Sequence, residues 1–480
     1  MQWTTARRKW HRWTQALLVG GMATAAWLSL PPAPPGFADA PEPDEPAEAE
    51  STAAPAAGRA ELAGVAQAER RLGDAVPTGA GIVLGHVEGN PGQYLPDVDH
   101  HRYRDITFHP RSGESESFNH TDATARIIFG PQGLAHGVRE VHHFSSPHWL
   151  SAGYLRAGQP QPPVQDRPRV YNHSWISRGG HMEPAQVAHI LRRVDFAIDR
   201  DGVVMCVGVD NDRISRVPDL LASAYNAIAV GVASGASSGG GTRVEGEGRV
   251  KPDLAGPGNR TSFSTPVVTA VAARLLEAAE ALTSHAELAA RPEVVKALLM
   301  AGATKPWNWR QRDGQPLDDH LGAGVVHLDN ALRILEAGRA HPNQPRSGSG
   351  WDLRVLKPDG RAIYRLDAEA DLGELSIMLT WHRRIDGRVL VHRQLQQRIW
   401  ADTPRLARFD LRLVHVDAEG QTRLLADSLS DVDNIQHVHL KDAPAGEYHL
   451  VVSRRNDGHD EPWPVAIAWR AGEHVPYPGD

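Results

Sequence analysis

The chain has 480 residues, with 51 Lys and Arg against 58 Asp and Glu, a formal charge of −7 and a single cysteine. Its apolar fraction of 41% and charged fraction of 23% exclude a wholly disordered, collagen-like or multi-span membrane chain. The acidic balance speaks against a dedicated nucleic-acid binder, which carries a basic patch. The lone Cys206 rules out an intrachain disulfide and any cysteine-built zinc site.

In chain order, residues 1–40 read as an export signal. Arg7, Arg8, Lys9 and Arg12 make a basic start, Ala16 to Leu30 is weakly apolar, and Phe37-Ala38-Asp39-Ala40 is a small-residue cleavage pattern. So short an apolar run fits secretion, whereas a stable membrane span needs about 20 residues. The expectation is an exported protein, periplasmic or secreted. Residues 41–60 are Pro, Ala, Glu and little else, a solvated tether. A second break at 341–350 (HPNQPRSGSG) marks a boundary between a domain over 61–340 and another over 351–480.

Within 61–340, Gly81 to Val87, Val170 to Trp175, Val203 to Val207 and Ala227 to Val232 are short apolar strands. Pro184 to Ile198 has helical spacing, and Pro266 to Leu282 is a nearly all-apolar helix. Apolar strands alternating with helices predict an α/β domain with a mainly parallel sheet covered on both faces. After Gly350 the period becomes two, as in Leu375, Ile377, Leu379 and Trp381, or Tyr448, Leu450 and Val452. That predicts an all-β antiparallel sandwich.

Arg260-Thr-Ser-Phe-Ser-Thr-Pro266 sets serines directly before the most apolar helix, where the macrodipole and free N–H groups favour negative charge. The plainer alternative is that Ser262 or Ser264 only caps that helix. Gly235-Ala-Ser-Ser-Gly239 imitates the nucleophile elbow of α/β-hydrolases, but no helix pattern follows it. Asp97-Val-Asp-His-His101 could hold a metal and reads as a solvated loop; no metal ligands are assigned.

Thr261 to Pro266 resembles the nucleophile motif of the subtilisin-like serine proteases. Lys251-Pro-Asp-Leu, Ala224 to Gly231, Val294 to Leu299 and Gly322-Ala-Gly324 are similar to the blocks around it, in the family's order. The resemblance implies a subtilisin-like three-layer domain followed by a jelly-roll-like sandwich. It implies Ser262 as nucleophile and His120, in Phe118-Asn-His-Thr-Asp, as base. Glu88, ending the first strand, stands where the family usually has Asp. Glu can serve, because the acid only orients the imidazole and stabilises its charged form.

Asn172 and Ser174 match the family's substrate-lining strand. The oxyanion donor is expected from Val207-Gly-Val-Asp-Asn-Asp212, where Asn211 is the suitable residue although an ungapped alignment offers Asp210. Arg126 and Arg260 stand where glycines are usual. The resemblance implies a monomeric endopeptidase acting on proteins or peptides, with no required cofactor and a structural calcium whose ligands are not assigned. The alternative is an inactive binding or scaffold protein on the same fold. Leu379-Thr-Trp381, Phe409 to Val414 and Pro444 to Tyr448 resemble the β-sandwich domains of secreted bacterial proteases.

Overall fold

Uninterrupted apolar runs become strands buried on both faces, since neither face of such a run can sit against water. Such runs supply most of the sheet, whose strands are β1 (Val83–Glu88), the partly exposed β2 (Thr107–Pro110), the His-bearing β3 (Glu140–Ser145), β4 (Val170–His173), β5 (Val204–Gly208), β6 (Ile228–Val232) and β7 (Leu254–Gly256). The computed structural model describes residues 56–180, 182–392, 397–417 and 419–480. It joins the seven strands in one sheet of order β7-β6-β5-β4-β1-β3-β2, with every neighbouring pair parallel. The order reverses at β1, which lies between β3 and β4. In open parallel sheets the crevice at the carboxyl end of such a strand is where ligands bind, and Glu88 is the last residue of β1. The export-signal segment 1–40 and most of the tether lie outside the described residues.

The helices are α1 (Ala56–Leu62), α2 (Val65–Leu72), α3 (Asn119–Ile128), α4 (Pro184–Asp201), α5 (Thr261–Glu280), α6 (Pro292–Gly302) and α7 (Leu328–Glu336). Residues 56–60, read from composition as tether, are thus helical; alanine favours helix, and Ala63, Val65 and Ala68 bury the following turn. α4 begins with a capping box between Glu183 and Gln186 and ends at Gly202 in the left-handed region. Helix α5 starts at Thr261, five residues before the expected Pro266. Pro266 has no N–H to give the carbonyl of Ser262, four residues back. No helix among the described residues is long and apolar enough to cross a membrane.

The C-terminal region forms two main sheets that enclose a core. One has four antiparallel strands, Gly350–Leu356, Leu372–Thr380, Ile435–Ala443 and Trp463–Gly472. The other has five, of which Arg361–Ala368, Phe409–Val416, Thr422–Ser428 and Gly446–Arg454 are antiparallel and the two-residue Pro345–Arg346 pairs parallel at its edge. A ribbon of Arg384–His392 and Gln397–Arg405 stands beside them.

This region shares a core with the α/β part. Trp351, Leu353, Met378, Ile435, Ala466 and Ala468 belong to the same apolar cluster as α5, α6 and α7. Every residue of α6 is buried. Polar contacts add to this. Arg383 pairs with the buried Asp195 of α4 at 2.6 Å and with Glu245 at 2.5 Å.

Candidate active site

The acid is set by a turn only glycine can make. Gly89 has φ +54°, and a Cβ there would lie 2.0 Å from the carbonyl oxygen of Gln93. The chain therefore turns sharply after Glu88 and leaves its carboxylate at the strand end, 1% exposed. His120, in the first turn of α3, presents Nδ1 to Glu88 Oε2 at 3.0 Å. Its ring lies between those of Phe118 and Phe263, with centroids 6.0 and 6.2 Å away. The His120 side chain keeps 28% of its surface exposed, so one edge of the imidazole reaches solvent. Burial disfavours the imidazolium, but the charge and hydrogen bond of Glu88 outweigh it, and the His120 pKa is raised above 6.5. The nearby Arg260 charge works in the opposite direction.

Behind Glu88 lies a chain of polar contacts. Asn172 donates from Nδ2 to Glu88 Oε1 at 3.4 Å and to Ser174 Oγ at 3.0 Å, while its Oδ1 accepts from Thr269 Oγ1 at 3.1 Å. His86 Nε2 stands 3.6 Å from the same Glu88 oxygen and 3.1 Å from Thr124 Oγ1. Asn172 was expected to line the substrate cleft. It is fully buried, with Nδ2 spent on Glu88 and Ser174 and Oδ1 on Thr269. Thr269 was missed from the sequence, although it lies on α5 seven residues after Ser262, on the same helical face.

Ser262 is half-buried, whereas Ser264 is completely buried, which leaves Ser262 as the accessible hydroxyl of the pair. Its Oγ donates to the carbonyl of Ser174 at 3.4 Å. No hydrogen bond joins it to His120 among the described residues. The start of α5 is almost fully satisfied: Thr261 N–H donates to Asn211 Oδ1 at 2.8 Å, and the N–H groups of Phe263 and Ser264 donate to Arg260 O. Among the described residues, the Ser262 N–H has no hydrogen-bond partner. It is a free donor at a helix N-terminus, beside the hydroxyl, where an oxyanion is best received.

Asn211 and Asp210 take different places. Asn211 Oδ1 accepts from both the N–H and the hydroxyl of Thr261. A backbone N–H can only donate, so the oxygen side of this amide is fixed and its NH2 group faces away from Thr261. Asp210 is instead held by Arg178 at 2.9 and 2.5 Å. Arg126 pairs with Asp122 at 3.3 Å. The Gly235–Gly239 segment is a loop whose Ser237 hydroxyl accepts from Val232 N–H, and no helix follows it.

The structure thus brings together Glu88, His120, Asn172, Ser174 and Ser262 through successive contacts, with Asn211 capping the helix that carries Ser262. Residues 134–324 match the model of the Subtilase family, Peptidase_S8; this stretch contains Asn172, Ser174, Asn211 and Ser262 and begins after Glu88 and His120. Solved structures similar to this chain include fervidolysin from Fervidobacterium pennivorans, described as a keratinolytic enzyme related to subtilisin (14% identity over 82% of this chain and 74% of that chain, TM-score 0.34). Others are the serine protease MycP1 (15% identity, 63% and 91%, TM-score 0.34) and a Pseudomonas sedolisin (13% identity, 55% and 95%, TM-score 0.37). No curated protein matches the chain.

Proposed function

We propose, for a chain whose residues 134–324 match the Subtilase family model, that it is an exported serine endopeptidase. It acts as a monomer on protein or peptide substrates through Ser262, His120 and Glu88. The observation that carries the reading is the buried Glu88 carboxylate bonded at 3.0 Å to His120 Nδ1. That bond fixes the tautomer with the proton on Nδ1 and leaves Nε2 as the base.

In this mechanism Ser262 Oγ attacks the scissile carbonyl carbon while its proton passes to His120 Nε2. Glu88 stabilises the imidazolium without taking up the proton. The developing oxyanion is received by the Ser262 N–H and the Asn211 NH2 group. The imidazolium then protonates the leaving amine, and the acyl-enzyme is hydrolysed by a water that His120 activates. These residues need no cofactor for that sequence. A structural calcium stays a proposal without assigned ligands.

One contact favours a second reading, a binding protein that keeps the fold without turnover: the Ser262 hydroxyl is bonded to Ser174 O and not to His120. Catalytic hydrogen bonds in unliganded enzymes are often long and tighten only with substrate. Labelling with a fluorophosphonate probe separates the two readings. The folded, mature wild type is expected to label and Ser262→Ala is not. Absence of labelling in the wild type would overturn the endopeptidase reading in favour of the second.

A further inference from the structure

At the amino-terminal end of the sheet's edge, away from Glu88, three side chains converge that the proposed peptidase chemistry does not use. The register pairs Thr107 with Glu140 and His109 with His142 across β2 and β3. Paired residues on parallel strands share a face, and residues two apart along a strand share it too. Glu140, His142 and His109 are therefore placed together by the backbone itself. The alternate positions Phe108, Val141 and His143 turn the other way, with the rings of Phe108 and His143 5.4 Å apart. Glu140 opens β3, five residues before Ser145, which pairs with Glu88. At about 3.3 Å per residue Glu140 lies roughly 17 Å, and the His142–His109 pair roughly 10 Å, from the candidate active site along the strand.

Glu140 Oε1 is 3.3 Å from His109 Nε2 and 3.5 Å from His142 Nε2. One donor atom from each of the three residues lies within 4.8 Å of the others. A tetrahedral ion with bonds of about 2.0–2.1 Å separates its ligand atoms by about 3.3–3.4 Å, which two of these separations already approach. His142 is also braced as a metal-ligating histidine usually is: its other nitrogen, Nδ1, meets Asp166 Oδ2 at 3.1 Å. That bond fixes the tautomer and aims Nε2 at Glu140.

From this geometry we propose that His109, Glu140 and His142 bind one divalent ion of the zinc class, with Asp166 as the positioning residue behind His142. Two imidazoles and one carboxylate suit zinc and its transition-metal neighbours. Calcium and magnesium take six or more oxygens, and a single carboxylate does not supply them. Arg167 Nη1 stands 2.6 Å from the shared Glu140 oxygen, but its side chain is 67% exposed, so it can swing into solvent when the ion enters. The ion would tie the edge strand β2, which among the described residues pairs only with β3 in the sheet, to its neighbour, and so stabilise the folded state by mass action.

The test uses the untagged full-length chain carrying Ser262→Ala, which prevents self-cleavage. Co2+ is titrated and followed by its visible absorption, Zn2+ is added as competitor, and thermal unfolding is recorded with and without Zn2+. One Co2+ per chain is expected, displaced by Zn2+, with a rise in Tm. Glu140→Gln is close to isosteric and His109→Ala lies on a partly exposed edge, so both are expected to stay folded by circular dichroism. Each should lose at least tenfold in Co2+ affinity, and Asp166→Asn about 10–100-fold. No stoichiometric uptake by the folded parent, or equal uptake by folded Glu140→Gln and His109→Ala, overturns the site.

Discussion

His120 Nδ1 lies 3.0 Å from Glu88 Oε2, and the glutamate is buried at the end of the strand where the sheet order reverses. Asn172 and His86 stand at the second oxygen of Glu88, and the turn at Gly89 follows directly after it. Glu88→Gln keeps the volume and the fold but offers an amide where a carboxylate held the tautomer. Turnover is expected to fall by about 10⁴-fold, with substrate affinity little changed. Steady-state kinetics on a peptide substrate check this, and unchanged turnover would mean that another acid serves the histidine.

The pH profile follows from the same pair. Nε2 must be neutral to accept the serine proton, and Glu88 raises the His120 pKa above 6.5 despite burial. Activity is therefore expected to rise with pH along a limb whose midpoint lies above 6.5, giving a neutral to alkaline optimum. Arg260→Gly removes a cation that lowers this pKa, so its limb should move to higher pH. A limb that moves to lower pH contradicts the placement of Arg260 beside the imidazole.

Asn211 is tied to Thr261 through Oδ1, and in the proposed mechanism its NH2 group complements the free Ser262 N–H. Asn211→Ala is expected to lower kcat by about 10²–10³-fold, the usual cost of one oxyanion donor. It should also loosen the start of α5 by about 1 kcal/mol, the loss of a cap. Asp210→Asn should do neither to that extent, because Asp210 faces Arg178. Single-turnover rates on both variants distinguish them.

Much of this was legible in the sequence, for identifiable reasons. Strands buried on both faces are continuous apolar runs, so β1, β4, β5 and β6 stood out. Position alone left Ser262 and Ser264 as possible helix caps, and it is the resemblance to the subtilisin-like proteases that singled out Ser262, and Glu88 as the acid ending the first strand. The start of α5 was misplaced because a proline usually opens a helix, whereas Pro266 sits inside this one. The burial of Asn172 was hidden, since its partners come from β1 and α5. The His109, Glu140 and His142 cluster escaped because strand pairing assembles it. Asp97–His101, a denser run of the same residue types, is a local turn in which His100 accepts from Arg102 N–H. The core shared by the sandwich and α6 was masked by the Pro- and Gly-rich break at 341–350.

That shared core predicts dependence of one region on the other. A chain ending at 340 exposes α6 and strands Asp195 without Arg383, so it is expected to be insoluble or to lack cooperative unfolding. Arg383→Ala in the full chain leaves the buried Asp195 carboxylate unpaired and should cost about 3–5 kcal/mol. Chemical denaturation measures it, and a loss below 1 kcal/mol would show that the pair contributes little.

Acid stability is set by imidazoles beneath the site. His86 and His173 are fully buried, and burial pushes both down to about 3. They are neutral in the folded chain, while in the unfolded chain they take up protons below about 6.5. Between those values the unfolded state binds more protons, so stability is complete above pH 6.5 and declines as pH falls toward 3. The loss is about 2 kcal/mol per imidazole at pH 5. His120, with its raised pKa, acts in the opposite sense: its contribution is present below 6.5 and is lost as pH climbs through the folded value. His143, fully buried against His86 with its ring centroid 4.9 Å away and likewise pushed down to about 3, adds to the depressed side, so beneath this site the net effect is a loss in acid. His173 packs edge-on against Trp149 at 4.5 Å, so His173→Phe keeps the ring and removes the titration. Its urea midpoint should fall less than that of the wild type between pH 7 and 5, and parallel curves for the two proteins would assign the acid sensitivity to other groups.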